Sequence, residues 1–149
     1  MIPLIALLAG TFVARIVGFL GVDALDGWHP ALRIGLAMMF LLTGYAHFAA
    51  THRRDLIAMV PPALPRPDLL VTVTGVLELV GAVGLLVPAT ARWAAAGLAL
   101  MMLAMFPANI HAARRELALA GRPVEPLGIR TAIQVVFVTA ALVVLLLPA

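Results

Sequence analysis

Residues 68–87 read DLLVTVTGVLELVGAVGLLV, and between the ends of this run the only ionisable side chain is Glu78. A helix of about 20 residues crosses roughly 30 Å of hydrocarbon, so the run is long enough to span a bilayer with its acid at mid-depth. A carboxylate there costs ~2.5 kcal/mol or more even on lenient insertion scales. Glu78 therefore needs a partner, a proton or a wet cavity, and every other polar group inside the apolar segments is a candidate to supply one.

The rest of the chain repeats the pattern. Apolar segments are expected at 2–21, 29–50, 93–110 and 129–147 as well as at 68–87, in a single transmembrane domain over 1–149. Of the 149 residues, 64% are hydrophobic and 11% charged, where a soluble domain carries about 25% charged residues. So little polar surface cannot cover so much apolar surface in water, and an all-α, multi-pass membrane bundle is the expected fold class. The first run has no Lys or Arg before it and no convincing cleavage site, so it reads as a span and not as a signal peptide. Arg15 makes it the least regular of the five.

Between the second and third spans, 51–67 holds Arg53, Arg54, Arg66 and four prolines around a short apolar stretch. Too short to cross and ended by Pro61-Pro62, that stretch predicts an interfacial or re-entrant turn. Pro67 and Asp68 suit a helix start. With five spans, one side collects Arg53, Arg54, Arg66, Arg114, Arg115, Arg122 and Arg130, and the other only Arg33 and Arg92. The positive-inside bias then predicts a bacterial cytoplasmic membrane protein with its N-terminus and long loops in the cytoplasm and its C-terminus outside. Trp28 and Trp93 fall at the outer interface, where amphipathic rings gather.

Some functions are disfavoured at once. The ten cations, all Arg, are spread over short loops without the aromatic-interleaved basic patch that tracks a nucleic-acid backbone. Cysteine is absent, which removes disulfides, thiolate ligands and dithiol redox chemistry. No two histidines share a helix face, so no metal site is expected.

Depth counting from the span centres places the remaining polar groups. Arg15 comes within about 5 Å of the height of Glu78, where an ion pair would account for two costly residues together. In the bland reading Arg15 snorkels to the headgroups and Glu78 is protonated. His47, Asn109 and Gln134 fall about 7–12 Å to the cytoplasmic side, on three different helices. Thr43 shares a face with His47, and Thr74 with Glu78, at i, i+4. Pro107 frees the Leu103 carbonyl. These groups could form one polar pocket with Glu78 at its floor. The competing reading is that Asn, Gln and His simply bond across helices at ~0.6 kcal/mol each. Gly75, Gly81 and Gly84 read as points of close helix approach.

Taken in order, Gly44-x-x-His47-Phe48, Val60-Pro61-Pro62-x-Leu64-Pro65, Gly75-x-x-Glu78, Gly84-Leu85-Leu86 and Phe106-Pro107-Ala108-Asn109-Ile110-His111 resemble the DoxX-like family of small membrane proteins, from about residue 31 onward. The resemblance implies a four-helix core, to which 2–21 adds a fifth helix, and it groups His47, Glu78 and Asn109 as one site. The family's namesakes are associated with a thiosulfate:quinone oxidoreductase. The expected function is an accessory or binding subunit that holds a quinone, a lipid or a membrane partner through the polar pocket. The alternatives are a quinone-linked oxidoreductase subunit and a proton-coupled transporter. Expected partners are the bilayer, a membrane redox protein and a second copy of the chain.

Overall fold

The structure, a computed structural model, describes residues 1–147; the last two residues of the expected 1–149 domain lie outside it. The chain runs α1 (Ile2–Phe19), a 3-10 turn at Asp23–Leu25, α2 (Trp28–Ala46), α3 (Ala50–Met59), α4 (Pro67–Leu86), α5 (Ala91–Arg114), a two-stranded hairpin of β1 (Ala118–Leu119) and β2 (Arg122–Pro123), and α6 (Leu127–Leu146). This is the all-α helical bundle expected from the apolar runs.

Helices α1, α4, α5 and α6 are each long and apolar enough to cross a membrane. Helix α2 qualifies only together with α3, from which it is bent by 89°. Its first turns carry Trp28, His29, Pro30 and Arg33, and its end carries Thr43 and Tyr45, which dilute its hydropathy. Yet α2 is the centre of the bundle, packing on α1, α4 and α6. The stretch after it, expected as a turn, forms the short helix α3, bent by 89° from α2.

Packing is set by small residues. Between α1 and α2, a Cβ on Gly10 would lie 2.8 Å from Met38 Sδ and 3.0 Å from Gly35 Cα. Between α4 and α5, one on Gly81 would lie 2.6 Å from a Leu98 methyl and one on Gly84 2.9 Å from Ala94 Cβ. The core is Leu36, Met39, Phe40, Leu85, Leu98, Met102 and Val144 among alanines. Close backbone approach replaces bulky interdigitation, the usual route to helix association where lipid supplies no hydrophobic drive.

Arginine side chains close the helix ends. Arg33, buried on α2, donates through Nε to the Leu85 carbonyl at 3.0 Å and through Nη2 to that of Leu86 at 3.1 Å. Arg92 donates to the Leu145 carbonyl at 3.0 Å, and His29 Nε2 meets the Val144 carbonyl at 3.2 Å. Cations thus sit on the orphan carbonyls and negative dipole ends of α4 and α6. At the other end of the bundle, the Ala120 amide in the β1–β2 turn donates to Asp55 of α3 at 2.7 Å, joining the two long loops.

Candidate functional site

On α4 the buried residues are Val71, Gly75, Glu78, Ala82 and Leu85, a single stripe at spacings of three and four. Glu78 therefore faces the bundle and not the lipid, and only 5% of it is exposed. Opposite it stand the last turns of α2. A Cβ on Gly75 would meet His47 Cβ at 2.5 Å, and one on Gly44 would meet Glu78 Cβ at 3.2 Å. The two tetrads Gly44-x-x-His47 and Gly75-x-x-Glu78 thus lie antiparallel, each glycine receiving the other helix's ionisable residue. This reciprocal fit brings an imidazole and a carboxyl together at the seam.

The pair's geometry is definite. His47, 4% exposed, points Nδ1 at the Thr43 carbonyl at 2.9 Å, and the same nitrogen lies 3.9 Å from Glu78 Oε2. A carbonyl oxygen only accepts, so Nδ1 carries the hydrogen and Nε2 is the acceptor of the neutral ring. Glu78 Oε2 is enclosed with no hydrogen-bond partner. The Thr43 hydroxyl makes only a long 3.5 Å contact to the Phe40 carbonyl.

Sequence reading passed over the residue that anchors this arrangement. Arg53, on α3, donates to the His47 carbonyl at 3.2 Å, the Asp68 carbonyl at 3.2 Å and the Thr72 hydroxyl at 2.9 Å. One guanidinium therefore ties the end of α2 to the start of α4. In the sequence it appears only as one Arg of a loop, and the apolar pattern of 50–59, where Met59 is the one buried residue, gives no signal that singles it out.

The other expected members go elsewhere. Asn109 accepts from Arg130 and donates to Gln134 at 3.4 Å, while Gln134 donates to the Met102 carbonyl at 2.7 Å. These residues form a second cluster at the α5–α6 seam, and no hydrogen bond among the described residues joins it to His47 and Glu78. The single shared pocket is thus corrected to two clusters, because α4 turns its acid toward α2 and away from the α5–α6 seam. Helix α5 continues through Pro107, and Gln134 reaches the carbonyl next to the freed one of Leu103. Thr74 bonds the Leu70 and Val71 carbonyls of its own helix at 2.9 and 3.2 Å and does not join the pair.

Arg15 does not pair with Glu78. Its Nη1 bonds Asp26 at 2.9 Å, and its guanidinium lies 3.7 Å from the Phe19 ring centroid and 5.7 Å from that of Trp28. The reason is placement around the bundle: α1 packs chiefly on α2, while the short turn after α1 delivers Asp26 to Arg15 directly.

A groove of about 450 Å³, lined by Ala6, Met38, Leu41, Leu42 and Tyr45, opens between α1 and α2. At 100° per residue these α2 positions lie on the face opposite Thr43 and His47, so the groove does not extend the pair.

Fold and site together define a multi-pass membrane helical bundle built around a buried acid–imidazole pair. The family model described as Domain of unknown function (DUF8561) matches residues 36–145, and the chain belongs to that family. The matched region holds both tetrads, Arg53 and the Asn109 cluster, while α1 with Arg15 lies before it. No curated protein and no solved structure matches the chain.

Proposed function

We propose that the protein is an accessory or binding subunit of a bacterial cytoplasmic membrane, with its Arg-rich loops in the cytoplasm, and that the His47–Glu78 pair binds the polar head of a hydrophobic small molecule. A quinone is the favoured ligand, with a lipid as the other class. The observation that carries this reading is Glu78 Oε2, enclosed at the α2–α4 seam with no hydrogen-bond partner beside a histidine whose Nε2 also bonds no protein group. Buried polar atoms without partners are few in folded proteins, and each needs a role. A head group carrying both a donor and an acceptor would satisfy the two together. The ordered motifs that resemble the DoxX-like family lend support, since that family's namesakes are associated with quinone chemistry.

The test is mass spectrometry of the gently solubilised protein and of solvent extracts from it. The expected result is a quinone or lipid held at near-stoichiometric occupancy in the unaltered chain and largely lost from Glu78→Gln. Equal occupancy in both would overturn the reading. An acid beside an imidazole also suits a quinone-linked redox subunit, in which the pair would handle the proton that accompanies electron transfer. Quinone reduction by a co-purified partner, abolished by His47→Ala, is the outcome that distinguishes it.

A further inference from the structure

The two nitrogens of His47 face different surroundings. Nδ1 is turned inward, on the Thr43 carbonyl and 3.9 Å from Glu78 Oε2. Nε2 bonds no protein group and, unlike Oε2, is not among the fully enclosed unpaired atoms. His47 also sits at the end of α2, where the chain turns into α3, whereas Glu78 is more than halfway along α4. The ring therefore stands between the α3 end of the bundle and the buried acid.

We propose that His47 is a proton relay that loads and unloads Glu78 from the side of the bundle bearing α3 and the β-hairpin. In the loading step Nε2 takes a proton from water, giving an imidazolium. The Nδ1–H bond then breaks, its proton passes to Glu78 Oε2, and the electron pair stays on the ring. The products are a neutral carboxylic acid and a neutral imidazole protonated at Nε2. A swing of the ring that lets Nδ1 take a second proton from water, giving an imidazolium again, followed by loss of the Nε2 proton to water, restores the starting tautomer. The Nδ1–Oε2 separation must shorten by about 1 Å for transfer, with Nδ1 leaving the Thr43 carbonyl.

The other charged and polar side chains on the neighbouring helices are engaged elsewhere or stand at helix ends. Helix α2 supplies Thr43, and its Arg33 is engaged on the Leu85 and Leu86 carbonyls. From α3, Arg53 bonds the His47 carbonyl and Thr72. On α4 itself, Thr72 and Thr74 both donate to their own helix. The charged groups of α5 are Arg92, engaged on Leu145, and His111 and Arg114 in its last turn. Among the described residues, His47 is the titratable side chain that approaches the acid, and its Nε2 has no protein partner. The relay belongs to the pair with no head group bound, because a ligand on Nε2 and Oε2 would take both atoms it uses, and it does not depend on such a ligand existing.

The test uses the full chain in nanodiscs. Infrared difference spectra after a pH jump follow the carboxylic acid C=O band of Glu78, identified by its loss in Glu78→Gln. The expected result is that His47→Gln keeps the band but slows its proton exchange about 100-fold or more, and that added imidazole restores the rate in His47→Ala. Exchange at the unaltered rate in His47→Gln, or slow exchange that imidazole does not restore, overturns the relay. In the unaltered protein the imidazole ring bands must change together with the Glu78 band. A carboxyl that titrates without any ring response also overturns it, and this measurement does not depend on a His47 variant folding.

Discussion

Substituting alanine at Gly75 tests the seam that creates the pair. The added Cβ would lie 2.5 Å from His47 Cβ, 3.0 Å from His47 Cγ and 3.0 Å from Phe48 Cε2. A Cβ is fixed by the backbone, so His47 cannot swing aside and α2 must move from α4. Overpacking of this kind costs ~1–3 kcal/mol. Alanine gains about 1 kcal/mol over glycine in a helix interior, which opposes that cost. Gly97 in α5 separates the two effects, because nothing lies within 4 Å of its added Cβ. Gly97→Ala should be neutral or stabilising by up to ~1 kcal/mol. Gly44→Ala should fall between the two, since its nearest atoms, Leu79 Cδ2 at 2.8 Å and Cγ at 2.9 Å, belong to a flexible side chain. Reversible unfolding in mixed detergent–lipid micelles reads the order directly. The propensity gain is common to all three, so Gly75→Ala minus Gly97→Ala isolates the packing cost at ~1–3 kcal/mol. If these two variants unfold at the same point, the seam is looser than the structure shows and the reasoning is wrong.

Other consequences follow from the same contacts. Arg33→Met removes two hydrogen bonds from a cation to buried carbonyls at the end of α4, and a loss of ~1.5–3 kcal/mol is expected in the same unfolding assay. Arg33→Lys should recover only part of it, because an ammonium lacks the planar fork that meets two carbonyls at once. Arg53→Ala should expose the α2–α3 turn to limited proteolysis while leaving the spans protected, with Thr72→Ala milder since it removes one of three contacts. A double-mutant cycle between Asn109 and Gln134 should give a coupling near ~0.6 kcal/mol, the usual value for a polar contact between membrane helices. Asp26→Asn should weaken thermal stability by ~1 kcal/mol or less at low salt, with the difference shrinking as salt is raised, as for an exposed ion pair.

The order of the long helices was legible because each needs a run of apolar residues that lipid imposes on the sequence. The break after α2 was legible too, from Pro61 and Pro62, but the helix α3 within it was not. Glu78 could be picked out as inward-facing, since lipid penalises the alternative. Partners were less legible. Counting residues from a span centre gives height along the bundle normal but nothing about which way around the bundle a side chain points. Arg15 and Glu78 stand near enough in height on that count, yet α1 packs on a different face of α2, and the pair is not made. The same limit merged His47, Asn109 and Gln134 into one pocket when the bundle divides them between two seams.

Small residues carry the missing angular information. Glycine marks where another backbone comes closest, and each glycine at the α2–α4 seam lies three residues before the group that fills its partner. Had the tetrads Gly44-x-x-His47 and Gly75-x-x-Glu78 been set antiparallel, the His47–Glu78 contact would have followed from sequence alone. Asn109 has no such glycine three residues before it; Phe106 stands there. The arginines add a second constraint of the same kind. Arg33 on Leu85 and Leu86, and Arg92 on Leu145, tie the start of one span to the end of another, so each cation names a neighbour as well as a side of the membrane. In a bundle whose apolar surface is matched by lipid on every side, these few close approaches and charged caps decide which helices meet, and the buried acid–imidazole pair is where two of them do.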